Sequence, residues 1–88
     1  YKLLSGRDLS SLRKENGVDG FQKRDESLFD CFEAGHSSTS IGAGMGMAYT
    51  RDLNNDDYRI VCVIGDASIS NGVSFEALNN LNVSNKLN

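Results

Sequence analysis

The sequence predicts an α/β layered fold of which only a part is present: helix, strand, loop, helix, with an incomplete sheet. Three observations predict it. Arg59 to Ile64 is a continuous apolar, β-branched run of strand length, the pattern of a parallel-sheet strand covered on both faces. Gly65-Asp66-Ala67-Ser68 follows without a break, as a turn leaving such a strand does. Apolar residues recur at helical spacing before and after it, which gives the order of layers in an α/β fold. One strand cannot make a sheet, so the expectation is a parallel sheet flanked by helices whose other strands lie elsewhere. Residues 1–88 are then one partial domain and no complete one.

In chain order, Asp8 to Glu15 carries Leu9 and Leu12 three apart among charged residues. That reads as a short surface helix ending near Asn16-Gly17. Residues 17–27 read as a charged loop. Leu28 to Ala34 is short and mixed, and is taken as a strand entering a turn at Gly35. Ser37-Ser38-Thr39-Ser40 offers hydroxyl caps for a helix start. In the helix that follows, Ile41, Met45 and Ala48/Tyr49 recur at helical spacing. Gly42, Gly44 and Gly46 interrupt it at about 1 kcal/mol each relative to alanine. Such a cluster predicts the close approach of a neighbouring backbone or a ligand. The helix is expected to end near Asp52, because Asn54-Asn55-Asp56-Asp57 is turn material. A last helix is expected from Asn71 or Gly72 to Leu81, with Phe75, Leu78 and Leu81 on one side.

Composition narrows the class. The chain has 88 residues, fewer than the ~100–150 of a common domain. Hydrophobic residues are 39% and charged residues 24%, which fits a globular segment rather than a disordered tail. A net charge of −3 gives no nucleic-acid footprint, which calls for a basic patch. No apolar run approaches the ~20 residues of a membrane span. Tyr1-Lys2-Leu3-Leu4 has no signal-peptide layout, and both ends read as cut. Cys31 and Cys62 have no short spacing, so they support neither a metal site nor a disulfide scaffold. A reducing compartment is the default, and Cys62 reads as a small core residue.

Two motifs carry chemistry. Ligands of open α/β sheets bind beyond the carboxyl ends of the strands, where Asp66 stands. A carboxylate there suits magnesium, which takes one or two carboxylates together with phosphate oxygens and water. Backbone N–H groups of the turn and the start of the next helix favour an anion at the same place. A magnesium-bridged diphosphate satisfies all of these groups, although Asp66 also suits an ordinary turn or helix cap. The second motif is Gly35-His36-Ser37-Ser38-Thr39-Ser40 before the glycine-rich helix. A histidine can hydrogen-bond a cofactor or move a proton near neutral pH, and hydroxyls can contact phosphate. The plainer reading is a capping cluster beside an ordinary histidine. Gly42-Ala43-Gly44-Met45-Gly46-Met47 is a decoy for a dinucleotide site, since Met47 fills the last glycine place and no apolar strand leads into it.

Together these motifs resemble a family. Gly35-His36-Ser37-Ser38-Thr39-Ser40-Ile41 is similar to the stretch before the Gly-Asp-Gly motif of the 1-deoxy-D-xylulose-5-phosphate synthases, transketolase-like thiamine-diphosphate enzymes. Val61-Cys62-Val63-Ile64-Gly65-Asp66, Gly72 and Phe75-Glu76-Ala77-Leu78-Asn79-Asn80 resemble their Gly-Asp-Gly segment and its helix. Lys2-Leu3-Leu4-Ser5-Gly6-Arg7, Leu12-Arg13 and Lys23-Arg24-Asp25-Glu26-Ser27 fit as well, so the resemblance covers about residues 2–82.

The resemblance implies a thiamine-diphosphate-binding fold of which this is the pyrophosphate side. It implies condensation of pyruvate with D-glyceraldehyde 3-phosphate, loss of carbon dioxide, and 1-deoxy-D-xylulose 5-phosphate as product. That product feeds isoprenoid, thiamine and pyridoxal synthesis. It further implies thiamine diphosphate and Mg2+ as cofactors, a homodimer at full length, and a bacterial cytoplasm or a plastid-type organelle (plastid or apicoplast). By resemblance Asp66 is the metal ligand, and Ala67 and Ser68 lie against the diphosphate through backbone N–H groups. Gly35, His36 and Ser37 line the cofactor pocket, with His36 catalytic. The second metal ligand, an asparagine, falls beyond Asn88, and the glutamate that activates the aminopyrimidine ring lies in another domain. A segment alone is expected to be inactive and to fold poorly. One position departs from the family: Ala67 stands where the motif has its second glycine. A positive φ there would strain alanine by roughly 1–2 kcal/mol. Another thiamine-diphosphate enzyme, such as a transketolase, and a non-enzymatic module are the competing readings.

Overall fold

The structure, a computed structural model, describes residues 9–81. The chain divides after Gly35 into two compact units, Tyr1–Gly35 and His36–Asn88.

In the first unit the helix expected over 8–15 shrinks to one 3-10 turn, Leu9–Ser11, and Asp8 lies outside the described residues. Arg13 and Asn16 adopt left-handed φ values of 60° and 57°, which no helix propagates. The Arg13 N–H instead donates to the Val18 carbonyl at 2.8 Å, and Gly17 donates to Lys14 at 2.9 Å. Gly17 is required here: a Cβ would stand 2.0 Å from the Ser11 carbonyl oxygen. The Arg13 guanidinium lies 5.9 Å from the centroid of the Phe21 ring. Lys23 and Asp19 form an exposed ion pair, which raises the lysine and lowers the carboxylate from their ordinary values. The carboxylate's preference for its charged form is lost as pH falls, and an exposed pair of this kind adds little to stability.

In the second unit, helix α1 spans Ser40–Asn54 and α2 spans Gly72–Leu81. Helix α1 runs two residues past the expected end. It closes as a Schellman motif on Asn55, in the left-handed region at φ 57°. The Asp56 N–H donates to the Arg51 carbonyl at 3.0 Å and the Asn55 N–H to Asp52 at 3.2 Å. Helix α2 starts where Asn71 caps it: the Asn71 side-chain oxygen accepts the Val73 N–H at 3.1 Å.

Apart from Arg51, the packed faces are built from small residues. Gly44, Ala48 and Arg51 are the buried positions of α1, and Ser74 and Ala77 those of α2. A Cβ on Gly42 would reach the Ala77 methyl at 3.8 Å, and one on Gly44 would stand 2.3 Å from the Cys62 sulfur. The close approach at Gly44 is thus made by a side chain, not by the backbone or ligand that the glycine cluster predicts. Nothing comes within 4 Å of a Cβ on Gly46. The Cys62 thiol donates to the Ser40 carbonyl at 3.3 Å. Cys62 remains exposed, so it abuts α1 without being the core residue the sequence predicts.

The expected α/β fold is not what the structure shows. Among the described residues there is no strand and no sheet; the ordered elements are two α-helices and two 3-10 turns. Neither Arg59–Ile64 nor Leu28–Ala34 pairs with another segment. The physical reason is that a strand is defined by its ladder, and no second segment among the described residues offers N–H and C=O groups to residues 59–64. Burial tells the same story. Ile60 and Cys62 reach toward Gly44 of α1, whereas Val61 and Val63 are 80% and 90% exposed. The run is covered on one side only. Among the described residues, Val18, Ala48 and Ala77 alone are buried apolar positions.

Candidate functional site

Asp66 opens a 3-10 turn, Asp66–Ser70, directly after the extended run. Gly65 before it has φ −71° and ψ 148°, which feeds the turn without strain. The Asp66 side chain is exposed, and its Oδ1 accepts the N–H of Ala67 at 2.9 Å. The Asp66 side chain makes no other hydrogen bond among the described residues. The Ser68 N–H donates to the Gly65 carbonyl at 3.0 Å. Both N–H groups expected to meet a diphosphate are therefore already donated within the turn.

Ala67 is not among the residues with positive φ. The strain considered for alanine in the motif's glycine place does not arise. In the complete protein Ala67→Gly is expected to leave cofactor affinity within about twofold, or to improve it slightly, because no close contact or special dihedral is involved. Calorimetric titration of the variant checks this. A loss of tenfold or more would mean that the alanine methyl packs against the ligand.

His36 and Ser37 are exposed at the start of the second unit. His36 Nδ1 lies 2.5 Å from the Ser37 carbonyl oxygen. A carbonyl only accepts, so Nδ1 carries the proton and Nε2 of the neutral ring is left as an acceptor. Ser38 is buried and takes the left-handed φ of 73°, a conformation that costs a serine roughly 1–2 kcal/mol. Thr39 is the residue before α1, yet its hydroxyl does not cap the helix. It turns back to the His36 carbonyl at 3.2 Å. The hydroxyl cluster therefore shapes its own loop more than it caps α1. Gly35 closes the first unit, where a Cβ would make ordinary contact with the Phe21 ring at 3.6 Å.

What joins the two motifs of the second unit is a residue that sequence reasoning did not single out. Ser74, in the first turn of α2, is 1% exposed. Its hydroxyl lies 2.8 Å from the Ser68 carbonyl and 3.3 Å from the Ser38 carbonyl. The turn carrying Asp66 and the loop carrying His36 thus meet on one buried hydroxyl. Asp66 and His36 do not hydrogen-bond each other. A polar residue on the packed face of α2 was the available signal. Arg51 was missed likewise. It is 4% exposed, holds Asp52 Oδ1 through Nε and Nη2 at 2.8 and 2.6 Å, and donates to the Tyr58 carbonyl at 3.3 Å. It fastens the end of α1 to the chain that returns toward Asp66.

The described residues contain no cluster of three or more metal-ligating side chains. One exposed carboxylate with a free oxygen fits a hard cation that draws its remaining ligands from phosphate and water, as magnesium does. It does not fit a closed site such as structural zinc. No helix among the described residues is long and apolar enough to cross a membrane.

Comparison with known proteins agrees with these motifs. Residues 1–87 match the family model described as 1-deoxy-D-xylulose-5-phosphate synthase. Proteins named 1-deoxy-D-xylulose-5-phosphate synthase are 56% identical in Dehalococcoides mccartyi over 91% of this chain, and 51% identical in Alkaliphilus oremlandii over 98%. The one from Prochlorococcus marinus is 54% identical over 90% of the chain. The chain spans 13–14% of the length of these relatives. On the strength of a family match running through almost every residue, this chain belongs to the 1-deoxy-D-xylulose-5-phosphate synthase family.

Proposed function

We propose that residues 1–88 are part of the pyrophosphate-side, thiamine-diphosphate-binding domain of an enzyme that joins pyruvate to D-glyceraldehyde 3-phosphate. Carbon dioxide is lost and 1-deoxy-D-xylulose 5-phosphate is formed. The observation that carries this reading is the convergence of the His36 loop and the Asp66 turn in a chain of this family. When bound, thiamine diphosphate supplies a carbanionic carbon and an electron sink for decarboxylation. The residues of this chain bind and orient. Asp66, with its second oxygen free, would hold Mg2+ and so offset the repulsion between a carboxylate and a diphosphate. Ala67 and Ser68 would lie against the diphosphate. Since both their N–H groups are donated within the turn, the Ser68 hydroxyl is the donor left for the anion. Gly35, His36 and Ser37 would line the pocket, with the free Nε2 of His36 available to take or return a proton.

The complete enzyme on this reading is a homodimer. The bacterial relatives favour a bacterial cytoplasm over a plastid-type organelle. The segment alone is expected to be inactive and poorly stable, as the three buried apolar residues among the described ones supply little core. The test is an assay of the complete protein with pyruvate and D-glyceraldehyde 3-phosphate. Release of carbon dioxide and formation of the pentulose phosphate should require both thiamine diphosphate and Mg2+. Turnover without added or bound thiamine diphosphate, or transfer from a ketose phosphate in place of decarboxylation, would overturn the reading.

A further inference from the structure

We propose that Ser74 is a positioning residue for the cofactor pocket: its single buried hydroxyl holds the Asp66 turn and the His36 loop in register. The inference rests on the function proposed above and adds a residue to it. Ser74 is 1% exposed, a fully buried side chain among the described residues. Its side chain makes no apolar contribution that alanine would not make, so the hydroxyl needs a reason to be there.

The reason lies in the two carbonyls it faces. The Ser68 carbonyl, at 2.8 Å, belongs to the last part of the turn that begins with Asp66. The Ser38 carbonyl, at 3.3 Å, belongs to the residue held at φ 73°, two places after His36. A hydroxyl has one proton. The shorter contact is the main hydrogen bond and the longer one shares it. Without that proton neither carbonyl keeps this donor, which is unfavourable for both. The left-handed Ser38 also loses a contact that holds it.

Each segment is otherwise tied mainly to itself: Ala67 to Asp66, Ser68 to Gly65, Thr39 to His36 and His36 to Ser37. Hydrogen bonds local to one loop fix its shape but not its place relative to another loop. Ser74 is the hydrogen-bonding residue that contacts both, 36 residues from one and 6 from the other. Its loss should lower the fraction of molecules whose two loops stand ready for the cofactor. Apparent affinity falls in proportion to that fraction, and the chemistry of molecules that have bound is unchanged.

The experiment uses the complete enzyme and compares wild type with Ser74→Ala. Thiamine diphosphate is titrated calorimetrically in the presence of Mg2+, and kcat is measured at saturating cofactor. The expected result is a cofactor Kd raised about three- to tenfold, as for a lost buried hydrogen bond, with kcat within twofold. Hydrogen exchange of the cofactor-free protein should quicken in residues 36–40 and 66–70 and stay unchanged in the middle of α1. A Kd within twofold of wild type, with or without a lower Tm, overturns the proposal and leaves Ser74 a packing residue. Should Ser74→Ala not fold, Ser74→Cys keeps the shape with a weaker donor: a raised Kd supports the proposal and an unchanged one overturns it. Wild type that binds no thiamine diphosphate overturns the proposed function along with this inference. Wild type that binds, beside an unaffected variant, overturns this inference alone.

Discussion

Asp66→Asn in the complete protein is expected to weaken Mg2+-dependent binding of thiamine diphosphate by roughly 10–100-fold, the range seen when a metal site loses one supporting group. The substitution is nearly isosteric and removes only the formal charge. The one hydrogen bond the Asp66 side chain makes among the described residues is its acceptance of the Ala67 N–H at 2.9 Å. An asparagine side-chain oxygen accepts that bond equally well. Asp66 is exposed, so the change leaves no buried group unpaired, and Tm should hold within a degree or two. The two readings of Asp66 therefore separate cleanly. As a turn residue it can be replaced by asparagine at no consequence. As the carboxylate beside a divalent cation it cannot, because a dication near one negative charge gains a Coulombic attraction that a neutral amide supplies only in part. Calorimetric titration of cofactor with Mg2+ present, for both proteins, decides it. Affinities equal within twofold would remove Asp66 from the metal site.

His36→Ala is expected to lower kcat by about 100-fold or more, the lower end of what a positioned proton-transfer group contributes, while the fold stays intact. The structure supplies the grounds for both halves. His36 is exposed, and exposed substitutions away from special features usually shift stability by no more than about 0.5 kcal/mol. The ring's bond from Nδ1 to the Ser37 carbonyl fixes which nitrogen is free. In the neutral ring Nε2 is then the acceptor, in the tautomer suited to taking a proton. His36→Gln sharpens the test, because glutamine donates and accepts hydrogen bonds but does not shuttle a proton. Loss of kcat in both variants points to proton transfer. Rescue by glutamine points to hydrogen bonding alone. Wild-type kinetics in His36→Ala would take His36 out of the site.

The contrast between these two side chains and Ser74 shows where sequence reading reaches its limit. Asp66 and His36 are found by local pattern: a carboxylate after an apolar run, and a lone histidine ahead of a hydroxyl cluster. Their meeting is not local. It passes through a serine inside α2, off the apolar side of Phe75, Leu78 and Leu81 that the sequence pattern picks out. The same holds for Arg51, which the sequence pattern does not single out and which the structure buries, bonded to Asp52 and the Tyr58 carbonyl. The N–H groups of Ala67 and Ser68 give the opposite case. They were expected to face an anion because turns expose such groups, but the Asp66 side chain and the Gly65 carbonyl have taken them.

The sequence by itself determined the end of α1 to within two residues and the bounds of α2 to within one, through the Asn54–Asp57 turn and Asn71. It also determined the family, through motifs whose residues are contiguous. These properties depend on neighbours along the chain, and neighbours along the chain are what a sequence lists. Only the tertiary structure decided that Arg59–Ile64 stays an unpaired extended segment, because a ladder needs hydrogen-bond partners that no local pattern can supply. It also decided that the helices meet where Gly42 faces Ala77, while Phe75 and Leu78 stay exposed. Close approach favours positions with the least side chain, whatever their hydrophobicity.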